Sequence, residues 1–210
     1  MGGGLNVPTI PGTPFAGGFY VGRMAPGDGN KYALIVAPKA QGEFNGALSY
    51  RSSNLSTSGA GSAWDGASNS AALAALGAGV SPIADFMQQV NNGGGIGGYT
   101  DWFIGARYQN EMIYRNLKTG PDANNTGGPG TTSNAHADPN TPAYTASSPV
   151  QTDVAAFMPG GAEAYLNNNY WSSSEFPTTE AWVQDMYTGY FTHYSKTLGQ
   201  RVRLVRMIKI

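Results

Sequence analysis

Residues 170–210 read YWSSSEFPTTEAWVQDMYTGYFTHYSKTLGQRVRLVRMIKI, and the period of this stretch decides the fold. YWSSS, AWVQDMYT, YFTHYSK and RVRLVRMIKI are aromatic and β-branched runs of strand length. Thr188-Gly189 separates the second run from the third and Leu198-Gly199-Gln200 precedes the last, each supplying the glycine that a tight return needs. Side chains alternate across a strand, so Trp182 and Gln184 share one face of AWVQDMY, and Val183 and Asp185 the other. In the last run Val202, Leu204 and Met207/Ile208 alternate with Arg201, Arg203 and Arg206, which predicts one apolar and one basic face.

Upstream, GGFYVGRM and KYALIVAPK flank the turn signal Pro26-Gly27-Asp28-Gly29-Asn30 and predict a hairpin. Residues 51–70 are small and polar, a surface loop anchored by Trp64. Asn69 or Ser70 is expected to cap a short helix, AALAAL, that ends near Gly77 and Gly79. Ser81-Pro82 opens another, because proline has no N–H to leave unpaired at a first helical position. Ile83, Phe86, Met87 and Val90 form its core stripe. Gln109, Met112, Ile113 and Leu117 predict a further helix over 106–117, closed by Gly120-Pro121.

Two segments lack this texture. Residues 1–16 (MGGGLNVPTIPGTPFA) read as an extended arm that gains order by lying on its own domain or on a neighbour. Residues 119–152 form a long Gly/Pro/Asn/Thr-rich loop containing His136, and a loop of that length is either functional or wrapped around a neighbour. The reading is thus an arm at 1–16 and one domain at 17–210.

Composition excludes several function classes. The chain has 210 residues, a formal net charge of −1 and only 12% charged residues, which argues against a basic nucleic-acid footprint or a polybasic membrane patch. It has no cysteine, hence no disulfide, thiolate metal site or cysteine nucleophile. Two histidines, His136 and His193, give a multi-histidine metal site or a Ser-His-Asp triad almost nothing to draw on. No apolar run approaches the roughly 18 residues of a membrane span, and Met1-Gly-Gly-Gly-Leu-Asn-Val-Pro lacks the basic and apolar regions of a signal peptide. No membrane insertion is expected.

Acid–base chemistry would need two of Glu43, Asp65, Asp101, Glu111, Glu163, Glu175 and Asp185 to face each other in a cleft. Their spacing carries no such signature, and carboxylates beside aromatic strands usually bond backbone amides or arginines. No catalytic residue is assigned. The glycine runs at 93–95 and 97–98 precede no Lys-Ser/Thr pair, so a phosphate cradle is unsupported. NNNYWSSSE and DANNTGG are polar but lack ordered calcium-loop spacing, so neither metal nor cofactor is assigned. Aromatics crowd residues 165–194, and tyrosine among Ser and Asn makes adaptable recognition surfaces. The candidate ligand-binding surface is Phe176, Tyr187, Tyr190, His193 and Tyr194.

An ordered series of motifs then carries a family resemblance. Gly98-Tyr99-Thr100-Asp101-Trp102, Ala106-Arg107, Glu111 to Lys118, Gly160 to Ala164, Tyr170 to Glu175, Ala181 to Gln184 and Arg201 to Arg206 resemble the Lcl-type C-terminal domain family. These are C-type-lectin-like domains of phage tail-fibre and other virion proteins and of bacterial surface adhesins, and the resemblance covers roughly residues 17–208. It implies an α+β fold: two helices flanking a small, twisted, mainly antiparallel sheet, with the N- and C-terminal strands close together. Trp102 and Trp171 look like core positions of the family, with Glu111, Trp182 and Arg203 as framework. The variable face would come from loop 119–152 and the strands around 176–200. Many relatives have Leu-Pro at Ile104-Gly105 and an Asp-Glu-Leu-type helix start at Tyr108-Gln109-Asn110, so a less rigid start is expected here. The fold also resembles formylglycine-generating enzymes, whose chemistry needs the cysteines that this chain lacks.

The resemblance implies a non-enzymatic bacteriophage virion protein, at a tail fibre or tail tip, that attaches to a host-surface glycan or protein receptor. Such a protein is assembled in the host cytoplasm, is released by lysis and needs neither signal nor disulfides. Its arm would dock on other virion proteins, and it would form a homo-oligomer, taken as a trimer. The alternative is a capsid-decoration or tail-assembly protein without receptor binding.

Overall fold

The structure, a computed structural model, describes residues 6–127 and 132–210. Its elements run β1 (Pro14–Phe15), β2 (Gly18–Met24), β3 (Tyr32–Val36), a single helical turn α1 (Lys39–Gly42), β4 (Leu48–Ser49), α2 (Gly66–Ala74), α3 (Pro82–Asn92), β5 (Phe103–Ile104) and α4 (Arg107–Leu117). A 3-10 turn at Ala155–Phe157 leads to β6 (Asn169–Phe176), β7 (Glu180–Asp185), β8 (Phe191–Ser195), β9 (Gly199–Gln200) and β10 (Leu204–Lys209). The architecture is α+β.

The hairpin β2–β3 forms around its expected turn, where Asp28 accepts bonds from the Asn30 amide at 2.9 Å and the Tyr32 hydroxyl at 2.6 Å. Its register slips between Tyr20 and Gly22. That slip frees the Val21 carbonyl, which accepts from Asn116 Nδ2 on α4 at 2.8 Å. Gly22 allows the approach: a Cβ there would lie 2.9 Å from Asn116 Nδ2 and 3.0 Å from Met112 Sδ. The last strand, β10, lies antiparallel to β3 from Val205↔Val36 to Lys209↔Tyr32, and on its other edge it takes β5. The sheet order β1-β2-β3-β10-β5 therefore joins the two ends of the chain.

Where one small sheet was expected, three form: this one, β6-β7-β8, and the two-stranded β4-β9, all paired antiparallel. They meet around Trp102, Trp171 and Tyr50, all fully buried. Among the described residues three helices have nine or more residues, as the residue periodicity expects, rather than the two that the resemblance implies. In α3 the anticipated stripe packs inward, with Ile83 and Met87 buried and Phe86 and Val90 against the core. Ser81 does not cap it; its hydroxyl donates to the Tyr50 carbonyl at 2.7 Å.

Polar residues account for most other departures. Helix α2 starts earlier than expected, at Gly66, because the Asp65 carboxylate accepts from the Ser68 amide at 2.9 Å. Asn69 and Ser70 lie inside that helix, wholly buried, and bond Ser62 and Ile104. Residues 51–70 are therefore partly interior. The start of α4 is tied three ways: Gln109 Oε1 accepts from the Ala106 amide at 2.7 Å, Ser174 Oγ from the Arg107 amide at 3.0 Å, and the Trp171 carbonyl from Asn110 Nδ2 at 3.0 Å.

The basic face expected on the last strand is not a solvated one: Arg203 and Arg206 are buried and Arg201 is half-buried. Arg201 pairs with Glu43 at 3.1 Å, Arg203 with Glu163, and Arg206 with Asp101 at 2.8 Å. The described part of the arm lies on its own domain: the Gly12 amide donates to the Tyr20 carbonyl at 2.7 Å, and residues 14–15 pair with β2. The described part of loop 119–152 is pinned too. Asn124 Nδ2 donates to the Thr145 and Pro149 carbonyls at 3.0 and 2.9 Å, and Asn134 Nδ2 to Tyr108 O and Glu111 Oε2 at 2.9 and 2.7 Å.

Candidate binding surface

Register builds the surface. Trp182 lies directly opposite His193, and Phe176 opposite Glu180, so the period of two brings these four side chains to one face at the β6–β7 end of the three-stranded sheet. Phe176 and His193 stack with centroids 3.8 Å apart and planes 4° from parallel. Trp182 meets both rings edge-on, at 5.0 and 5.6 Å. Glu180 Oε2 sits 2.7 Å from His193 Nδ1, with about a third and a quarter of the respective side chains exposed.

Arg107, the half-buried first residue of α4, packs against this cluster. Its guanidinium carbon lies 4.2 Å from the Trp182 ring centroid and 5.1 Å from that of Phe191. Burial pushes the guanidinium down from its ordinary pKa, with Tyr108 opposing. Trp182 is only 8% exposed, so it serves as the floor of the surface rather than as its rim.

The hairpin tip that carries Phe176 is fixed from below. Strand β6 leaves its ladder with β7 between Trp171 and Glu175, and the serines there turn to other elements. Ser173 N donates to the Gly105 carbonyl and Ser174 Oγ to that of Ser62, while Ser172 Oγ returns to the Trp182 carbonyl. Glu175 accepts from the Thr57 amide and pairs with the buried ammonium of Lys196.

The five side chains grouped by the sequence do not converge. Phe176 and His193 are together. Tyr194 projects to the opposite face of β8, where it packs against the core. Tyr187 and Tyr190 belong to the β7–β8 turn, at the far end of the strands. Asp185 Oδ1 accepts from the Tyr187 amide at 2.7 Å there, and the neighbouring Asp122 carboxylate raises the pKa of the Tyr187 phenol. Gly189 takes a positive φ of 73° directly against the Tyr114 ring, leaving no space for a Cβ. Sequence reading missed Arg107 and Glu180. Their signal exists only in three dimensions, because each is defined by the ring that it touches.

Framework residues lie beneath. Glu111 is fully buried, accepting from Arg115 Nε at 2.8 Å and Asn134 Nδ2 at 2.7 Å, and desolvation nonetheless raises its pKa. Arg203 donates to the Ala37 and Glu163 carbonyls at 2.9 and 2.8 Å, 4.9 Å over the Tyr165 ring. Trp102 Nε1 donates to the Ile96 carbonyl at 3.2 Å, and Trp171 Nε1 to that of Leu48 at 2.8 Å.

Each of the seven carboxylates weighed for acid–base chemistry has a structural partner. Glu43, Asp101, Glu111 and Glu163 meet arginines, Glu175 a lysine, and Asp65 and Asp185 backbone amides. Among the described residues no group of three or more His, Asp or Glu gathers to hold a metal ion, and no helix is long and apolar enough to cross a membrane. No family model matches the chain, and no curated protein matches it.

Proposed function

We propose that the chain is a bacteriophage virion protein whose C-type-lectin-like domain attaches a tail fibre or tail tip to a receptor on the host surface. The observation that carries this reading is the Phe176–His193 stack beside Glu180, held at the β6–β7 end of a sheet whose supports are buried. Rings with polar rims on a rigid scaffold recognise ligands without paying much side-chain entropy. The motif series from Gly98 to Arg206 supports the lectin-like assignment, as does β10 lying beside the N-terminal hairpin. The protein would be assembled in the host cytoplasm and released with the virion by lysis.

A second reading, a capsid-decoration or tail-assembly protein, is favoured by a different patch. Ile10 in the arm and Val150 in the long loop are 66% and 73% exposed and line one groove together with Pro11 and Pro149. A second copy of the chain, in a trimer or other homo-oligomer, would cover them.

Fluorescently labelled protein added to candidate host bacteria separates the two. The attachment reading expects saturable adsorption that falls about tenfold or more when Phe176 and His193 are both replaced by alanine, with the thermal unfolding of the variant unchanged. A folded wild-type protein that adsorbs to no host strain would leave the assembly role as the better reading.

A further inference from the structure

We infer that the candidate surface continues past Arg107 into a second aromatic cluster, and that the whole band takes an extended glycan chain rather than one terminal sugar. This rests on the receptor-binding reading above and names its ligand class. Beyond Arg107 lie Tyr108, His136 and Trp64: Tyr108 and His136 have centroids 5.2 Å apart, His136 and Trp64 6.0 Å. The Arg107 guanidinium carbon is 5.2 Å from the Tyr108 centroid and 4.2 Å from that of Trp182, so one side chain bridges both clusters. The only two histidines of the chain fall at separate places in this one band.

Its members come from distant parts of the chain and are held by backbone bonds. The Tyr108 amide donates to the Ala63 carbonyl at 2.8 Å, the His136 amide to Asn134 Oδ1 at 3.0 Å, and the Ala25 amide to the His136 carbonyl at 2.8 Å. Trp64, Tyr108, His136, Phe176 and His193 are each partly exposed, which leaves ring surface for a ligand.

Three features select a glycan. The rings succeed one another by contact, from Trp64 through His136, Tyr108 and Arg107 to Trp182 and its neighbours, the succession that a polymer with a repeated apolar face uses. Each carries or adjoins hydrogen-bonding groups, and none of the band is aliphatic; the exposed Ile10, Leu55, Val150, Leu166, Leu198 and Ile210 are all outside it. Single-stranded nucleic acid also stacks on successive rings, but it needs a cationic track, whereas this band holds the carboxylate of Glu180, against His193, on a chain of net charge −1.

The test uses surface polysaccharide purified from a host strain to which the full-length protein adsorbs, cleaved by mild acid and separated by size. Calorimetric titration of wild type is expected to show affinity rising with fragment length, by about tenfold or more from the shortest binding fragment to the longest. Trp64→Ala with Tyr108→Ala should flatten that rise while leaving the affinity for the shortest fragment unchanged, which also reports an intact fold. If that pair unfolds the protein, His136→Gln carries the same expectation. A rise that survives these substitutions overturns the inference. So does adsorption to cells that protease abolishes and periodate does not, which would leave receptor binding standing with a protein as the receptor. Failure of folded wild type to adsorb to any host strain would remove the receptor-binding reading itself.

Discussion

Lys196 Nζ lies 2.7 Å from Glu175 Oε1, and the lysine side chain is wholly buried while that of the glutamate is 7% exposed. The ammonium also donates to the Leu55 and Thr178 carbonyls, both at 2.9 Å. Glu175 in turn accepts from the Thr57 amide and the Ser56 hydroxyl. One buried ion pair therefore ties the end of β8, the β6–β7 turn and loop 51–57 to each other, and the tip that presents Phe176 is set by a cation of the protein's own.

Removing one partner of a buried pair leaves the other charge uncompensated, at a cost of roughly 3 to 5 kcal/mol. Lys196→Met should therefore lower the unfolding free energy by that amount in urea. The double variant Lys196→Met/Glu175→Leu should recover a large part of it, because no charge is then stranded. Equal losses in the single and double variants would mean that the carbonyl bonds, and not the ion pair, hold the tip.

Trp102 is 1% exposed, packs on the glycine-lined start of β2 and donates to the Ile96 carbonyl. Trp102→Ala should cost roughly 3 to 5 kcal/mol, the range for a large aromatic removed from a core that cannot collapse onto the gap. A loss under about 1 kcal/mol in a chemical denaturation would show that the site relaxes. Tyr194→Ala belongs in the same experiment. Its ring packs on the core, so it should destabilise the fold, unlike Phe176→Ala at the surface.

The difference between Tyr194 and Phe176 marks where sequence reading stops. Hydrophobic period places β2, β3, α3, α4, β6, β7, β8 and β10, because apolar residues at spacings of two or of three and four fit one kind of element each, whereas Gly199-Gln200, read as a return, pairs with β4 as β9. It does not say where a polar residue goes. Asn69, Asn134 and Arg203 read as a cap, a loop residue and a basic face, yet all three are interior, satisfied by partners far along the chain such as Ser173, Glu111 and Glu163. The candidate surface was legible in the same measure. His193 falls in the strand run YFTHYSK and Phe176 in the aromatic crowding, but only the register, Trp182 against His193 and Phe176 against Glu180, separates them from Tyr187 and Tyr190 at the other end.

Alkaline pH should unfold the protein abruptly. Burial raises the pKa of Tyr50, Tyr114, Tyr144, Tyr165 and Tyr170 above the ordinary value near 10. Above pH 10 the unfolded chain ionises these phenols while the folded one keeps them protonated. The folded state then binds more protons, and stability falls as pH rises. Each such group contributes up to about 1.4 kcal/mol per pH unit, so several together exhaust a net stability of about 5 to 15 kcal/mol within about one to two units. Absorbance at 295 nm and far-ultraviolet circular dichroism should change together above pH 10. Ionisation of these buried tyrosines with the dichroism intact would contradict the assignment.

Asn134 ties the long loop to α4. It is fully buried, donates to the Tyr108 carbonyl and to Glu111 Oε2, and accepts from the His136 amide. Asn134→Ala strips a donor from a carboxylate that desolvation already penalises, removes the second bond of the Tyr108 carbonyl, which keeps its helical one, and leaves the His136 amide without its partner. The expected loss is about 1 to 3 kcal/mol, the cost of one orphaned group. Because the same side chain places both Tyr108 and His136, the variant should also loosen the far half of the aromatic band while leaving Phe176 and His193 in place. Limited proteolysis should then cut within 132–152 well before the rest of the domain, and binding of long glycan fragments should fall more than that of short ones. Cleavage at wild-type rates would mean that the bridge between Asn134 and Thr141 and the contact of Met24 with Ala137 hold the loop without it.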